Sequence, residues 1–149
     1  MILSTKGRYA LIAMAYMARK GLFEKSSVSE ISEAQGISQT YLEQLFMKLR
    51  KASLLKSVRG AGGGFMLNKH PNDIRVHDIM KAVDENFEAV EGSQSSFKNQ
   101  IKTNEYILSE KFWEQFSSQI YLFMHKITLQ DIASDSMEPC QAVINFAKN

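Results

Sequence analysis

The chain places four glycines within five positions, at Gly60, Gly62, Gly63 and Gly64, between Ser57-Val58-Arg59 and the apolar run Phe65-Met66-Leu67. Glycine reaches φ > 0 without strain and lets backbone lie close to a neighbour. A basic residue leading into such a run, with strand-like segments on both sides, predicts a tight loop between two short strands. Gly-rich loops also cradle phosphates, but a P-loop needs a Lys-Ser/Thr pair after its last glycine and a helix start there. Here Phe65-Met66-Leu67 follows and reads as strand. A dinucleotide fingerprint needs a preceding βα unit, which is missing too.

The residues before this loop give it a context. Ser27-Val28-Ser29-Glu30 has capping-box spacing, and a short helix is expected from there to Gln35. Gly36 supplies a turn, and Ser38 is placed to cap a second helix. On that helix Leu42, Leu45, Phe46 and Leu49 form a stripe at 3- and 4-residue spacing. The opposite face carries Gln39, Thr40, Glu43, Gln44, Lys48 and Lys51, side chains of the types that meet base edges and phosphates. Strands are expected at Leu54–Val58 and Phe65–Leu67. Helix, Gly turn, helix, strand, Gly-rich loop, strand is the element order of a winged helix-turn-helix. The predicted fold is mainly α with a small β-wing, completed by a long C-terminal helix.

Charge is divided along the chain. Residues 1–70 hold 11 Lys+Arg against 4 Asp+Glu, a balance of +7, and the remainder holds 7 against 12, a balance of −5. A net charge of +2 therefore conceals a basic head suited to phosphate contact and an acidic tail.

Other function classes find little support. No Ser/His/Asp or Cys/His set is suggested by spacing, and Asp84-Glu85 is explained by a solvated helix end, so no enzyme is expected. A single cysteine, Cys140, excludes an intramolecular disulfide and any metal site built on several thiolates. No metal site is expected from His70, His77, His125 and Cys140; an inert thiol and a structural histidine explain the last two. No apolar run reaches the ~18–20 residues of a membrane helix, and no secretory signal is evident at the start. A cytoplasmic protein without membrane contact is expected.

Elsewhere, residues 5–20 predict a first helix with Tyr9, Ile12, Ala13, Tyr16 and Met17 as its buried stripe. Pro71-Asn72 marks a turn, and Val76–Val83 a short helix with Ile79 and Val83 facing inward. Residues 91–105 are polar and read as a mobile loop. From Tyr106 to Ile127, Trp113, Phe116, Ile120, Phe123 and Ile127 repeat at 3, 4, 3, 4, the spacing of an a/d seam. This helix is the expected homodimer contact, since two helix-turn-helix units then reach successive major-groove faces. Thr128-Leu129-Gln130-Asp131 starts a last short helix. The expected division is 1–85 for the DNA-binding unit, 86–105 for a sensor-type loop, 106–135 for the dimerisation helix and its follower, and 136–149 for a tail.

Several segments together resemble the Rrf family of bacterial winged-helix regulators, and within it the iron–sulfur cluster regulators. They are Leu3-Ser4-Thr5-Lys6-Gly7-Arg8-Tyr9-Ala10, Ile31-Ser32-Glu33-Ala34-Gln35-Gly36-Ile37-Ser38, Tyr41-Leu42-Glu43-Gln44-Leu45-Phe46, the Ser57–Phe65 run, Ala82-Val83-Asp84-Glu85 and Ile127-Thr128-Leu129. The resemblance is dense over residues 1–90 and looser over 106–132. It implies a homodimer on a pseudo-palindromic operator in double-stranded DNA, with the wing in the minor groove. It maps base and backbone contacts onto Ser38, Thr40, Tyr41, Glu43 and Gln44, and a minor-groove arginine onto Arg59. With the polar face above, the candidate DNA-binding set is Ser38, Gln39, Thr40, Tyr41, Glu43, Gln44, Lys48, Arg59 and Gly60. The resemblance also implies control, as repressor or activator, of iron–sulfur or sulfur metabolism genes.

One departure concerns the cofactor. Relatives that bind a [2Fe–2S] cluster place three cysteines in the loop after Ala82-Val83-Asp84-Glu85, and some add a histidine. Here the loop from Glu91 to Glu105 holds neither, and Gly92 stands where the first cysteine is expected. Clusters are held by thiolates, sometimes aided by histidine, so none is expected. The alternative to a cluster-free regulator is one controlled by a partner protein docking on the acidic C-terminal half, with Phe97 and Ile101 as candidate contacts.

Overall fold

The computed structural model describes residues 4–85 and 103–137. In chain order it contains α1 (Thr5–Lys20), α2 (Val28–Gln35), α3 (Gln39–Lys51), β1 (Leu55–Val58), β2 (Gly64–Leu67), a 3-10 turn (Pro71–Asp73), α4 (Val76–Ala82), α5 (Asn104–Lys126) and α6 (Leu129–Ala133). This is the expected winged helix-turn-helix with a long C-terminal helix.

The helix-turn-helix is set by local chemistry. Ser27 Oγ accepts from the Glu30 N–H at 3.0 Å, which starts α2. Gly36 ends it in the left-handed region, φ 65°. Ser38 Oγ accepts from the Tyr41 N–H at 3.4 Å and opens α3. Only half of the predicted box at Ser27 forms. The Glu30 carboxylate turns away and accepts from Tyr16 Oη at 2.8 Å and Lys20 Nζ at 2.6 Å. Those bonds, Lys20 first, hold the Glu30 carboxyl below its usual range. They fasten α2 to α1, which a reciprocal cap would not do.

β1 and β2 pair antiparallel, Leu55 opposite Leu67 and Val58 opposite Gly64. Ser26 extends the ladder by one bridge to Phe65, with N–H···O distances of 2.8 and 2.9 Å. That bridge is why Gly64 has no side chain: a Cβ there would lie 2.5 Å from the Ser26 carbonyl oxygen. At the tip Gly60 adopts φ 103°, which L side chains rarely reach.

The core is one cluster. α3 contributes Leu42, Leu45, Phe46 and Leu49, the predicted stripe, with the Phe46 ring edge-on to Phe65 at 5.1 Å. Ile79 and Val83 are buried as expected. The stripe predicted for α1 needs correction. Ala13 and Met17 are buried, but Gly7, Ala10 and Met14 complete the face. Tyr9 and Tyr16 are half-buried, and Ile12 is 37% exposed. α1 packs against α2, α3, α4, α6 and β2, and small residues at 7, 10 and 13 let these elements approach.

α5 begins at Asn104, with Thr103 Oγ1 accepting from the Tyr106 N–H, and ends at Lys126. Ile127 is therefore not in the helix. It is extended, and its carbonyl accepts from the Val76 N–H at 3.0 Å. Thr128 and Asp131 form the predicted reciprocal box at α6, at 3.1 and 2.8 Å. The loop expected over 91–105 and the tail with Cys140 lie largely outside the described residues, except for 103–105, which open α5, and 136–137.

Candidate nucleic-acid interface

The free face of α3 carries most of the predicted side chains together. Gln39, Thr40, Glu43, Gln44 and Lys48 are all exposed, with Ser38 exposed at the cap. Gln39 Nε2 donates to Glu43 Oε1 at 3.2 Å, which steadies the carboxylate one turn along. Tyr41 is only half-buried because its ring meets Tyr9 edge-on, centroids 5.7 Å apart. It is thus partly a packing residue. Met47 is also exposed on this helix.

Lys48 is held from outside the helix. Its Nζ lies 2.7 Å from Asp84 Oδ2, and this pairing holds the Asp84 carboxyl below its usual range. Lys6 Nζ donates to the Asp84 carbonyl at 2.6 Å. Beside Lys48 a groove of about 510 Å³ is lined by Lys51, Lys69 and Lys81 as well as Asp78 and Asp84, so cations prevail there.

The wing presents the remaining candidates. Arg59 and Gly60 are exposed at its tip, where the Gly63 N–H closes a turn on the Gly60 carbonyl at 2.9 Å. Arg50 Nη1 donates to Ser57 Oγ at 3.1 Å and ties the last turn of α3 to β1. Lys25 also reaches the wing: a Cβ on Gly62 would lie 3.4 Å from its Nζ. Lys25 lies in the short connection between α1 and α2. The Ser26–Phe65 bridge that places it pairs residues far apart in the chain and leaves no local signal.

The second surface is α5, a 23-residue helix with no buried residue. Trp113, Phe116 and Phe123 of the predicted seam are exposed, and Ile120 and Ile127 are half-buried. The exposed face is wider than that seam, for Leu108, Phe112, Tyr121 and Leu122 are exposed too. Phe112, Trp113 and Phe116 form one aromatic patch, with centroids 5.0 to 6.4 Å apart. Near its C-terminal end the helix joins the body through α4. The His77 and His125 rings lie tilted against each other with centroids 3.9 Å apart and Tyr121 beside both, and Arg75 Nη1 donates to the Lys126 carbonyl at 3.2 Å.

Among the described residues, no group of three or more His, Cys, Asp or Glu is placed to hold a metal ion, and no helix is long and apolar enough to cross a membrane.

The chain matches, over residues 3–135, the family described as Rrf2, iron-dependent transcriptional regulator. It is 42% identical over 145 residues to the HTH-type transcriptional regulator IscR of Cereibacter sphaeroides, covering 96% of this chain and 94% of that one. It is 40% identical over 136 residues to IscR of Vibrio atlanticus, covering 91% and 77%. Among solved structures, it is similar to T. potens IscR, with a TM-score of 0.72 and 35% identity over 96% of both chains. It is likewise similar to CymR (YrzC), the global cysteine regulator of B. subtilis, with a TM-score of 0.75 and 31% identity over 90% of this chain and 97% of that one. The family match spans the helix-turn-helix, the glycine wing and the long C-terminal helix described above, and the chain belongs to the Rrf2 family of winged-helix transcriptional regulators.

Proposed function

We propose that this protein is a homodimer that reads a pseudo-palindromic operator and does so without an iron–sulfur cluster. The observation that supports this best is the division of α3. Its apolar stripe is wholly buried, while Gln39, Thr40, Glu43, Gln44 and Lys48 are exposed on the other side. In this reading Glu43 accepts from a cytosine amino group, Gln39, Thr40 and Gln44 meet base edges, and Ser38, Tyr41 and Lys48 meet the backbone. Arg59, with Gly60 leaving it room, enters a narrow and electronegative minor groove.

The dimer is formed by the α5 face around Trp113, Phe116, Ile120 and Phe123, with Ile127 just past the end of the helix. Contiguous exposed apolar faces of this kind mark interaction sites. The working division of the chain is 1–85 for DNA, 86–105 as a cysteine-free sensor-type segment whose last residues already open α5, 106–135 for dimerisation, and 136–149 as tail. Residues 86–105 contain no cysteine and no histidine, so the donors a [2Fe–2S] cluster needs are absent from that segment. The family's description as iron-dependent, and that of CymR as a global cysteine regulator, favour iron–sulfur or sulfur metabolism genes as targets. The partner-controlled alternative draws on Phe97 and Ile101, which lie outside the described residues.

The test is to bind the purified, metal-free protein to fragmented genomic DNA of its host and sequence what is retained. Enrichment of a two-fold-symmetric site is the expected result. Salt-sensitive binding without enrichment would overturn the cluster-free reading.

A further inference from the structure

α3 holds one exposed apolar side chain. Met47 is 53% exposed, while Leu42, Leu45, Phe46 and Leu49 are buried. It follows Thr40 by seven residues, Glu43 by four and Gln44 by three. At 3.6 residues per turn these four lie on one face, opposite the buried stripe. Lone exposed apolar residues are ordinary on a protein surface. Met47 differs in its place, set between two side chains that are read as base-edge contacts. Among the described residues, the elements that pack most on α3, which are α1, α2, α4 and β1, leave Met47 exposed.

We propose that Met47 is a specificity-determining residue of the α3 interface, making an apolar contact with the C5-methyl group of a thymine in the major groove. This rests on the operator-binding reading above. The chemistry narrows the ligand. A thioether donates no hydrogen bond, carries no charge and accepts only weakly, so it gains nothing from a phosphate and little from a guanine, adenine or cytosine edge. The major groove offers one apolar group, the thymine methyl. Methionine is unbranched and flexible, and its polarizable sulfur adapts to irregular apolar contacts. Glu43 and Gln44 thus read donors and acceptors, while Met47 reads the methyl between them.

The test uses the full chain. A random-sequence duplex library is first selected on the wild type and on Met47→Ala. In the duplex selected by the wild type, each thymine is then replaced singly by deoxyuridine, which removes only the methyl. At one thymine per half-site, deoxyuridine should weaken wild-type binding about fourfold, the value of one apolar carbon leaving contact. The same change should leave Met47→Ala binding unaltered, while Met47→Leu should keep the sensitivity. Circular dichroism confirms that each variant folds. If the wild type selects a site but no thymine methyl matters, or if Met47→Ala keeps the same sensitivity, the proposal is overturned. If the wild type selects no site at all, the operator reading itself fails, and the proposal fails with it.

Discussion

Lys48 on the free face of α3 is paired with Asp84 in the corner after α4, Nζ to Oδ2 at 2.7 Å. The Asp84 carboxyl is held below its usual range by that lysine, so the pair stays charged at neutral pH and opens only as pH falls through the lowered value. A phosphate reaching Lys48 must compete with this carboxylate. Lys48→Ala should weaken binding to all duplexes alike and reduce the slope of log K against log salt by about one. Asp84→Asn should do the reverse, strengthening binding by at most about fivefold, the limit for an exposed pair. Asparagine tolerates the φ of 56° at that position. Salt-dependent fluorescence anisotropy measures both. Equal slopes for wild type and Lys48→Ala would show that Lys48 contacts no phosphate.

Glu85, the next residue, closes the start of α1. Its carboxylate accepts from the Ser4 N–H at 3.1 Å, from the Gly7 N–H at 3.1 Å and from the Ser4 hydroxyl. Gly7 permits this approach, because a Cβ there would lie 2.6 Å from the carboxylate oxygen. Free N–H groups at a helix start are costly when left unpaired. Glu85→Ala should therefore lower stability by about 1 kcal/mol, as loss of a helix cap does. Thermal melts of wild type and variant decide it, and unchanged melting would mean that water replaces the carboxylate without loss.

Glu43 should act on sequence preference rather than on overall affinity. Its carboxylate is steadied by Gln39 and faces solvent. Glu43→Ala should relax discrimination at one operator position per half-site by about 1–3 kcal/mol. Arg59→Ala, by contrast, should act at the A·T-rich positions flanking the site. Binding to a set of operators with every single-base change separates the two. If Glu43→Ala lowers all of them equally, Glu43 reads no base.

What could be read from the sequence was what is local. Ser27, Ser38 and Thr128 cap the helices that follow them because each bond spans three residues. The α3 stripe was legible because one side of that helix alone is covered. α1 was misread because it is covered on several sides. Spacing alone does not choose between the Ile12 side and the Met14 side, and the small residues at 7, 10 and 13 mark the side where other elements approach. The bonds from Glu85 to Ser4, from Asp84 to Lys48 and from Ser26 to Phe65 join residues distant in sequence. No spacing rule announces them. Glu30 shows a local rule overruled, since its carboxylate found a cation on α1 instead of its own cap.

The α5 face should prove to be the dimer contact. Trp113 and Phe116 are exposed in a single chain, so a charge there costs the isolated fold little. Buried between two copies, the same charge would be expensive. Phe116→Glu and Trp113→Glu should each convert the protein to a species of 16.9 kDa by sedimentation. Binding to a two-fold-symmetric duplex should fall towards that of a half-site. A dimer surviving both substitutions would move the contact elsewhere.

His77 should make the joint between α4 and α5 sensitive to acid. Burial, and then the neighbouring His125, push its pKa below the ordinary value near 6.5, and Lys81 adds to this while Asp78 opposes it. Its Nδ1 is buried without a hydrogen-bond partner and lies 3.8 Å from Asp78 Oδ1. The unfolded chain, with an ordinary histidine, therefore binds more protons than the folded one between the two values. Stability rises with pH wherever that holds. The contribution is complete above about pH 6.5 and is lost as pH falls through the lowered folded value. His77→Phe keeps an aromatic ring against Tyr121 and His125 but removes the titration. Urea unfolding at several pH values between about 5 and 8 should show wild-type stability falling more steeply on the acid side than that of His77→Phe. Parallel curves would mean that His77 takes up its proton in the folded protein as readily as in the unfolded chain.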